Sequence, residues 1–248
     1  MTIPKIIHQI WWQGEEKIPS KYLSYIGSWK KNHPDYRYMF WDEQKVNKLI
    51  QNKPEYIKLL SKTTHFIQKI DIAKCIILYY YGGIYTDMDT VSEKPLDDII
   101  EQSKNKEIIL SLYTHSFVIY KHTLINNGII FAKKYSNFLK ELMKSMNNSL
   151  DYQYFDSDTN VLLTTGPFIF TYFYNRYSNK KNILLLEHDV LEGNDVYGNG
   201  KGKYVTHIHE LSWSKGWIKK VPQLTKVGVI IIIFIILFLI YRYKNLIM

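Results

Sequence analysis

Two aspartates one residue apart, Asp87 and Asp89, are the side chains of this sequence with the clearest chemical potential. They follow an apolar, aromatic stretch at residues 78–81 and the Gly82-Gly83 pair. A strand directs alternate side chains to one face, so a strand here would present both carboxylates together. Buried charges are costly unless they are paired or bind a metal, and oxygen ligands suit Mg²⁺ or Mn²⁺ beside phosphates. The pair therefore predicts a divalent-cation site, with an ordinary surface turn as the alternative.

The element that must position this pair is a predicted helix at residues 64–81. Its apolar pattern is long, and Gly82 stands where a left-handed helix C-cap belongs. Within it, Asp71 and Lys74 are three residues apart and share one face. Their core-like neighbours indicate a polar pair that faces a site. The alternative is a plain surface ion pair.

The rest of the chain alternates predicted strands with predicted helices, which indicates an α/β domain with a parallel sheet. Ser20 and Asp42 are suited to capping the first two helices. Thr165-Gly166-Pro167 must interrupt the helical pattern of residues 159–177. A turn is expected at residues 126–128 and a mobile glycine-rich loop at residues 193–203. The other predicted strands are residues 3–12, 36–41, 108–113, 117–120, 129–132, 183–187 and 204–209, and the other predicted helices are residues 97–103 and 136–146.

The composition limits the function classes. The net charge is +9, but the 32 Lys and Arg are scattered, and no nucleic-acid recognition motif accompanies them. A nucleotide or an anionic membrane is therefore a better partner than nucleic acid. The single cysteine, Cys75, excludes an intramolecular disulfide and permits a reducing compartment.

Residues 227–241 are uncharged and apolar, with basic residues on both sides. A helix of roughly 15 residues spans only ~22 Å of a ~30 Å hydrocarbon core, and flanking Lys and Arg can snorkel to supply most of the remainder. The sequence therefore predicts a single-pass anchor, dividing the chain into a catalytic domain at residues 1–220 and an anchor with a short tail at residues 221–248. The late position of the span and the lysines before it predict that the domain stays in the cytosol.

Taken in order, the motifs of this chain resemble those of the DXD-containing glycosyltransferase family 32. That family includes initiating α-1,6-mannosyltransferases and mannosyl inositol-phosphoceramide synthases. The matching pieces are Ile3-Pro4-Lys5-Ile6-Ile7-His8-Gln9-Ile10-Trp11, Ser28-Trp29, Trp41-Asp42, Asp71-Ile72-Ala73-Lys74, the block from Leu78 through Gly82-Gly83-Ile84-Tyr85-Thr86-Asp87-Met88-Asp89, Thr165-Gly166-Pro167, and His207 with Ser212-Trp213.

The resemblance implies a GT-A-type, Rossmann-like single domain with a mixed, mainly parallel sheet, followed here by the predicted C-terminal transmembrane helix. It implies a GDP- or UDP-linked nucleotide-sugar donor, Mn²⁺ or Mg²⁺, and transfer of a hexose with retention of configuration. The acceptor would be a glycan or a lipid-linked molecule, which a membrane anchor suits.

The resemblance also assigns roles to the central residues. Asp87 and Asp89 would hold the metal and the donor diphosphate, and Asp71 would hydrogen-bond the donor sugar. His207 resembles a late histidine that completes the metal shell, with a satisfied core histidine as the alternative.

Further contacts with the donor follow from the same resemblance. Lys74 stands where the family usually has arginine, and lysine lacks the planar two-pronged donor set, which puts donor grip in question. Trp213 resembles a residue that closes over the donor. The remaining donor-site candidates are His8, Trp11, Tyr85 and Ser212. For His8 and Trp11, the alternative is that they form a buried strand end.

Two other classes of protein fit parts of the sequence. Asp87-Met88-Asp89-Thr90-Val91 also matches the opening motif of haloacid-dehalogenase-type phosphatases, in which the first aspartate is the nucleophile. That motif belongs near the start of its domain, whereas a strand-helix-strand-helix region precedes it here. Lys74 alone favours the third class, a noncatalytic membrane-tethered binding protein.

Overall fold

The computed structural model describes residues 2–113, 124–154, 156–193, 200–212 and 214. Helices cover both faces of a central six-stranded sheet, and two further strands form a separate ribbon. The strands are β1 (Ile6–Ile10), β2 (Arg37–Trp41), β3 (Gly83–Thr86), β4 (Thr90–Ser92), β5 (Ile108–Leu112), β6 (Ile125–Ala132), β7 (Ile183–Leu186) and β8 (Val205–His207). The helices are α1 (Lys21–Asn32), α2 (Glu43–Ile50), α3 (Pro54–Ser61), α4 (Phe66–Tyr81), α5 (Asp97–Gln102), α6 (Asn137–Ser149), α7 (Ser157–Thr164), α8 (Pro167–Arg176) and α9 (His188–Leu191).

The main sheet is mixed and mainly parallel, in the order β2-β1-β3-β6-β5-β7. β1 pairs in parallel with β2 and β3, and β5 pairs in parallel with β7. Only β6 runs the other way, because it is antiparallel to both β3 and β5. β4 and β8 form the antiparallel ribbon. The α/β sheet expected from the sequence is confirmed.

Alternation along the strands explains why the sheet is covered on both faces. In β3, Ile84 belongs to the core beneath α1 and α5, and Tyr85 belongs to the core beneath α4, α6 and α8. In β6, Phe131 and Ile130 divide in the same way, and all four side chains are buried. Strands with apolar residues on both faces need helices on both sides, since alternate side chains point in opposite directions.

The helix that precedes the acidic pair forms as expected. α4 ends at Tyr81, and Gly82 follows with a φ of 64°, in the left-handed region that glycine adopts without strain. Asp42 caps α2 by accepting the backbone N–H of Lys45 at 2.8 Å. The interruption at Thr165-Gly166-Pro167 is also confirmed, because α7 ends at Thr164 and α8 begins at Pro167.

Three local predictions are wrong. Ser20 precedes α1 in helical backbone conformation, and its side chain makes no capping hydrogen bond. The acidic pair does not lie on a strand: β3 ends at Thr86, β4 begins at Thr90, and residues 87–89 form a turn between them. The turn expected at residues 126–128 is part of β6, whose pairing with β5 shifts register between Ile109 and Ser111. Sheet pairing overrides the turn preference there, and the Asn126 carboxamide accepts the Gly128 N–H at 2.6 Å.

Several predictions fall outside the described residues. They are the strand at residues 117–120, most of the glycine-rich loop, Trp213, and the membrane anchor at residues 227–241. Among the residues that are described, no helix has the length and apolar character needed to cross a membrane.

Candidate active site

The acidic turn is held in place by buried hydrogen bonds beneath it. The hydroxyl of Thr86 lies 2.6 Å from that of Thr90, which in turn donates to the carbonyl of Asp87 at 2.6 Å. The indole N–H of Trp29, a fully buried residue of α1, reaches the Thr90 hydroxyl at 3.1 Å. Met88, between the two aspartates, is buried. These contacts fix the shape of the turn.

The ribbon brings a histidine to the turn from the far end of the chain. In the β4–β8 pairing, Thr90 lies opposite His207. Nε2 of His207 is 3.3 Å from Oδ1 of Asp89 and 3.9 Å from Oδ2 of Asp87. One ligand atom from each of these three residues lies within 4.8 Å of the others, so the structure brings together all three of the predicted metal ligands.

Asp89 and His207 are electrostatically coupled. The Asp89 carboxylate also accepts the backbone N–H of Glu210 at 2.9 Å. Burial opposes its ionisation, but His207 and the Glu210 N–H outweigh burial and lower the pKa of Asp89. Burial likewise disfavours the imidazolium, yet Asp89 and Glu192 raise the pKa of His207 well above its usual value. A cation bound here would therefore compete with the proton on His207.

Gly128 in β6 keeps the space beside these ligands open. A Cβ at this position would lie 2.7 Å from Cε1 of His207 and 2.8 Å from Oδ2 of Asp87. The Gly128 carbonyl also accepts the backbone N–H of Asp87 at 2.8 Å. Carboxylates suit Mg²⁺ and Mn²⁺, and an added imidazole favours the transition metal of the two. The donor set and the space beside it fit a divalent cation.

Asp71 and Lys74 form a buried ion pair in α4. Nζ of Lys74 lies 2.6 Å from Oδ1 of Asp71, and both side chains are almost fully buried. The Asn127 amide donates to Oδ1 at 3.0 Å, and the Thr165 hydroxyl donates to Oδ2 at 2.9 Å. Burial raises the pKa of Asp71 above its usual value, while Lys74, Thr165 and Asn127 act in the opposite direction and favour the ionised form. The alternative of a plain surface ion pair is excluded.

Tyr85 connects this ion pair to the acidic turn. Its hydroxyl donates to Oδ1 of Asp87 at 2.7 Å, and Nζ of Lys74 lies 5.2 Å from the centre of its ring. Burial lowers the pKa of Lys74, but Asp71 and Asp87 outweigh burial and raise it. Lys74 therefore carries the positive charge that balances the carboxylates on this side of the site.

His8 lies within the sheet framework, opposite Tyr85 in the β1–β3 pairing. Its Nδ1 accepts the indole N–H of Trp41 at 3.0 Å, and its Nε2 lies 2.8 Å from the Gly82 carbonyl. The ring is fully buried, and burial lowers its pKa to about 4. With both ring nitrogens engaged, these contacts favour the buried strand end over a base-binding role, which stays a prediction.

Trp11 and Gln9 lie close to the acidic turn, at the carboxyl end of β1. The Trp11 indole N–H is buried without a hydrogen-bond partner among the described residues, and the ring lies 5.4 Å from that of Tyr22. The Gln9 amide donates to the Asp87 carbonyl at 3.3 Å and accepts from the Tyr38 hydroxyl at 2.6 Å. Ligands of α/β sheets bind at this end of the strands, so Trp11 stays a candidate for the donor base.

The C-terminal part of the site reaches α1 and α7. The carboxylate of Glu210 accepts the Tyr22 hydroxyl at 2.8 Å and pairs with Lys21. The Ser214 hydroxyl donates to Asp158 at 2.8 Å. Ser212, between these two anchor points, is exposed, and its predicted contact with the donor stays a prediction.

Sequence reasoning missed six residues of this site. The turn prediction covers Asn127 and Gly128, and the resemblance gives Gln9 and Thr165 no role. Glu192 carried no local signal, since it meets His207 only through the tertiary fold. Residues two apart in a strand share a face, so the strand predicted at residues 204–209 would have indicated His209 as a second imidazole beside His207.

Comparison with known proteins bears on both the fold and the site. The solved structure of PaToxG glycosyltransferase superposes with a TM-score of 0.53 at 20% identity, over 72% of this chain and 71% of that one. Inositol phosphoceramide mannosyltransferase 1 of Schizosaccharomyces pombe is 27% identical over 217 residues, which cover 85% of this chain and 62% of the relative. An uncharacterized glycosyltransferase of Acanthamoeba polyphaga mimivirus is 29% identical over 225 residues, covering 86% of this chain and 84% of the relative.

The fold is thus that of the GT-A glycosyltransferases. Residues 19–106 match the family model described as a glycosyltransferase sugar-binding region containing a DXD motif. This segment holds Asp71, Asp87 and Asp89, whereas His8 and His207 lie outside it. Over this segment the chain is similar to the DXD-containing glycosyltransferases, and the resemblance inferred from its sequence is confirmed.

Proposed function

We propose that this protein is a metal-dependent glycosyltransferase that moves a hexose from a GDP- or UDP-linked donor to a glycan or lipid acceptor. The observation that carries the proposal is the meeting of Asp87, Asp89 and His207 beside the space kept by Gly128. Two carboxylates and an imidazole from distant parts of the chain are costly to gather unless they serve a ligand.

Asp87, Asp89 and His207 would hold the cation. When bound, a divalent cation supplies positive charge against the diphosphate that leaves with the nucleotide. Asp71 would accept a hydroxyl of the donor sugar, because Lys74, Asn127 and Thr165 fix the orientation of its carboxylate. Tyr85 orients Asp87 through its hydroxyl, so its role in donor binding is to position that ligand.

The donor and acceptor are proposed from the relatives. The name of the S. pombe relative indicates mannose as the sugar and an inositol phosphoceramide as the acceptor of that protein. We therefore rank GDP-mannose first among the donors and an inositol-phosphate lipid first among the acceptors. A membrane anchor at residues 227–241 would bring the site to such a lipid. Retention of configuration follows from the family resemblance and is tested by NMR of the product.

The decisive experiment uses the full chain in detergent micelles with GDP-mannose, UDP-glucose or UDP-galactose. Each donor is supplied with Mn²⁺, with Mg²⁺ or with a chelator. We expect GDP or UDP to raise the Tm only when metal is present, and donor hydrolysis to follow the same requirement. Asp89→Asn should abolish the metal-dependent Tm increase and reduce turnover by about 10³-fold, a loss typical of removing a main electrostatic group.

Asp35→Asn is the matched control, because Asp35 is an exposed aspartate outside the site. It should leave both measurements unchanged. Nucleotide binding that needs no metal and survives Asp89→Asn would overturn the proposal. Nucleotide binding without hydrolysis or transfer of any donor would favour a noncatalytic binding protein.

The phosphatase alternative has its own test, which is release of phosphate from an aryl phosphate with Mg²⁺ and no sugar nucleotide. The structure gives this alternative no support, because Asp87 follows the third strand of the chain and the phosphatase motif follows the first. Robust phosphate release would nevertheless contradict the transferase proposal.

A further inference from the structure

Glu192 is a buried carboxylate placed between two histidines. It directly follows α9 and has no solvent exposure. Oε1 lies 3.4 Å from Nδ1 of His207, and Oε2 lies 2.7 Å from Nε2 of His209. A buried carboxylate is costly unless it is paired, so this arrangement calls for a physical reason.

The two nitrogens of His207 face different partners. Nδ1 faces Glu192, while Nε2 faces Asp89 and Asp87 at 3.3 and 3.9 Å. A carboxylate beside Nδ1 keeps the proton on that nitrogen, because an ionised carboxylate can only accept a hydrogen bond. The lone pair that His207 can offer a cation is then the one on Nε2, on the side of the two aspartates.

His209 and the backbone hold Glu192 in this position. The Tyr113 hydroxyl lies 3.4 Å from Nδ1 of His209, which leaves Nε2 of that ring for Glu192. The backbone N–H of His207 donates to the Glu192 carbonyl at 2.9 Å. His209 is a non-glycine residue with a φ of 54°, a sparsely populated conformation that is found at functional sites more often than elsewhere.

We propose that Glu192 is the positioning residue of the metal centre: it accepts Nδ1–H of His207 and thereby directs Nε2 to the cation shared with Asp87 and Asp89. The inference rests on the proposed function and deepens it. Metal-bound histidines in general donate their second ring N–H to a carboxylate or carbonyl, which fixes the ring and raises its basicity. Nε2 of His209 lies 2.7 Å from the other oxygen of Glu192, an ion-pair contact in which neither atom has hydrogen-bond geometry.

A purely structural role is the competing explanation, in which Glu192 only fastens α9 to β8. The two roles differ in what the Glu192→Gln variant changes. A glutamine keeps the size of the side chain but is neutral, so it accepts Nδ1–H more weakly than a carboxylate does. The positioning role predicts weaker cation binding by protein that is still folded, whereas the structural role predicts lower stability with unchanged cation affinity.

The test measures Mn²⁺ binding to the metal-free full chain, by the EPR signal of free Mn²⁺, without any nucleotide sugar. We expect Glu192→Gln to weaken Mn²⁺ binding by about 10–100-fold, the usual effect of removing such a partner. Glu192→Asp keeps the charge on a shorter side chain, and its Mn²⁺ affinity should lie between those of Glu192→Gln and wild type. Glu187→Gln makes the same chemical change at an exposed position five residues earlier and should match wild type.

A second measurement follows the Nδ1–H proton of His207 by ¹⁵N-edited NMR of the metal-free protein. This proton should exchange slowly in wild type and in Glu187→Gln, and should move upfield and exchange faster in Glu192→Gln. If Glu192→Gln fails to fold, Glu192→Asp carries both measurements.

Three outcomes would overturn the positioning role. They are unchanged Mn²⁺ affinity in a folded Glu192 variant, an unchanged Nδ1–H signal, and two Mn²⁺ ions bound per chain with Glu192 and His209 holding the second. Failure of wild type to bind any divalent cation would instead refute the metal-dependent function, and the NMR measurement would still decide what Glu192 does to His207.

Discussion

The site is built from two regions with different support. The helix side consists of Asp71 and Lys74 in α4, a helix of 16 residues. Asp71 is 4% exposed and Lys74 is 2% exposed. The ribbon side consists of His207, His209 and Glu210, which lie in or just after β8, a strand of three residues. The helix side is continuous with the protein core, whereas the ribbon side reaches the acidic turn through the pairing with β4 and through the Glu210 N–H on Asp89.

This difference separates what the two regions contribute. Groups on the helix side are fixed by burial, so changing them should cost folding free energy as well as activity. On the ribbon side, Asp89 is held by the Glu210 backbone N–H, and His209 adopts a left-handed conformation. Changes there should act mainly on cation binding, because fewer core contacts depend on these residues.

The largest expected effect is that of Lys74→Met. The substitution leaves the Asp71 carboxylate buried without its cation, which typically costs about 3–5 kcal/mol of folding free energy. Urea unfolding measures the loss. Lys69→Met, in the same helix at a partly exposed position, is the control and should change stability by less than about 1 kcal/mol.

The double variant Asp71→Leu with Lys74→Met sharpens this test. Replacing both members of a buried ion pair with apolar side chains is often neutral, so much of the lost stability should return. Donor hydrolysis should stay abolished, because the carboxylate proposed to bind the sugar is gone. A double variant as unstable as Lys74→Met would show that the ion pair is not the source of the loss.

The next effect concerns His8 in the sheet framework, through the dependence of stability on pH. Burial lowers its pKa to about 4 in the folded protein, and the unfolded chain has the ordinary value near ~6.5. The unfolded state therefore binds more protons between these values, so stability is fully present above pH ~6.5 and is lost as pH falls toward ~4. The loss should approach about 3 kcal/mol.

Urea unfolding from pH 7 to pH 4.5 measures this slope. His8→Gln should be less stable than wild type at pH 7, because it disturbs the contacts with Trp41 and Gly82. It should also show a shallower decline with acid. A variant whose stability falls as steeply as that of wild type would assign the slope to other groups.

The sequence predicted the helix side better than the ribbon side, because the contacts of the helix side join residues close in sequence and those of the ribbon side join distant ones. Helical spacing alone put Asp71 and Lys74 on one face, since residues three apart in a helix are neighbours. Alternation along a strand gave the wrong local structure for residues 87–89, because a buried Met88 and the Thr86–Thr90 hydroxyl contact favour a turn. The two carboxylates still meet His207, as the resemblance implied.

Glu192 shows why the remaining contacts could not be predicted. It lies 15 residues from His207 in sequence, and their contact depends on how α9 packs beside β8. Nothing in the local sequence marks a glutamate as buried. The resemblance identified the residues that bind ligand, whereas the residues that orient them became visible only in the folded chain.

The smallest effect tests the boundary between the two regions at Gly128, where a side chain would touch both. In Gly128→Ala, the new methyl group would lie 2.7 Å from Cε1 of His207 and 2.8 Å from Oδ2 of Asp87. These atoms must move apart, which typically costs about 1–3 kcal/mol. If the ribbon side is the more adjustable one, His207 should move and Asp87 should stay.

If His207 moves, the free energy of Mn²⁺ binding should fall by more than the free energy of folding does, because the geometry of the metal-binding side chains is lost as well. Gly27→Ala is the matched control: Gly27 has nothing within 4 Å of its missing Cβ, and alanine in α1 should add about 0.5–1 kcal/mol of stability. A Gly128→Ala variant that binds Mn²⁺ like wild type would mean that both regions yield together. The site would then behave as one adjustable unit, and the contrast between a rigid helix side and a movable ribbon side would be wrong.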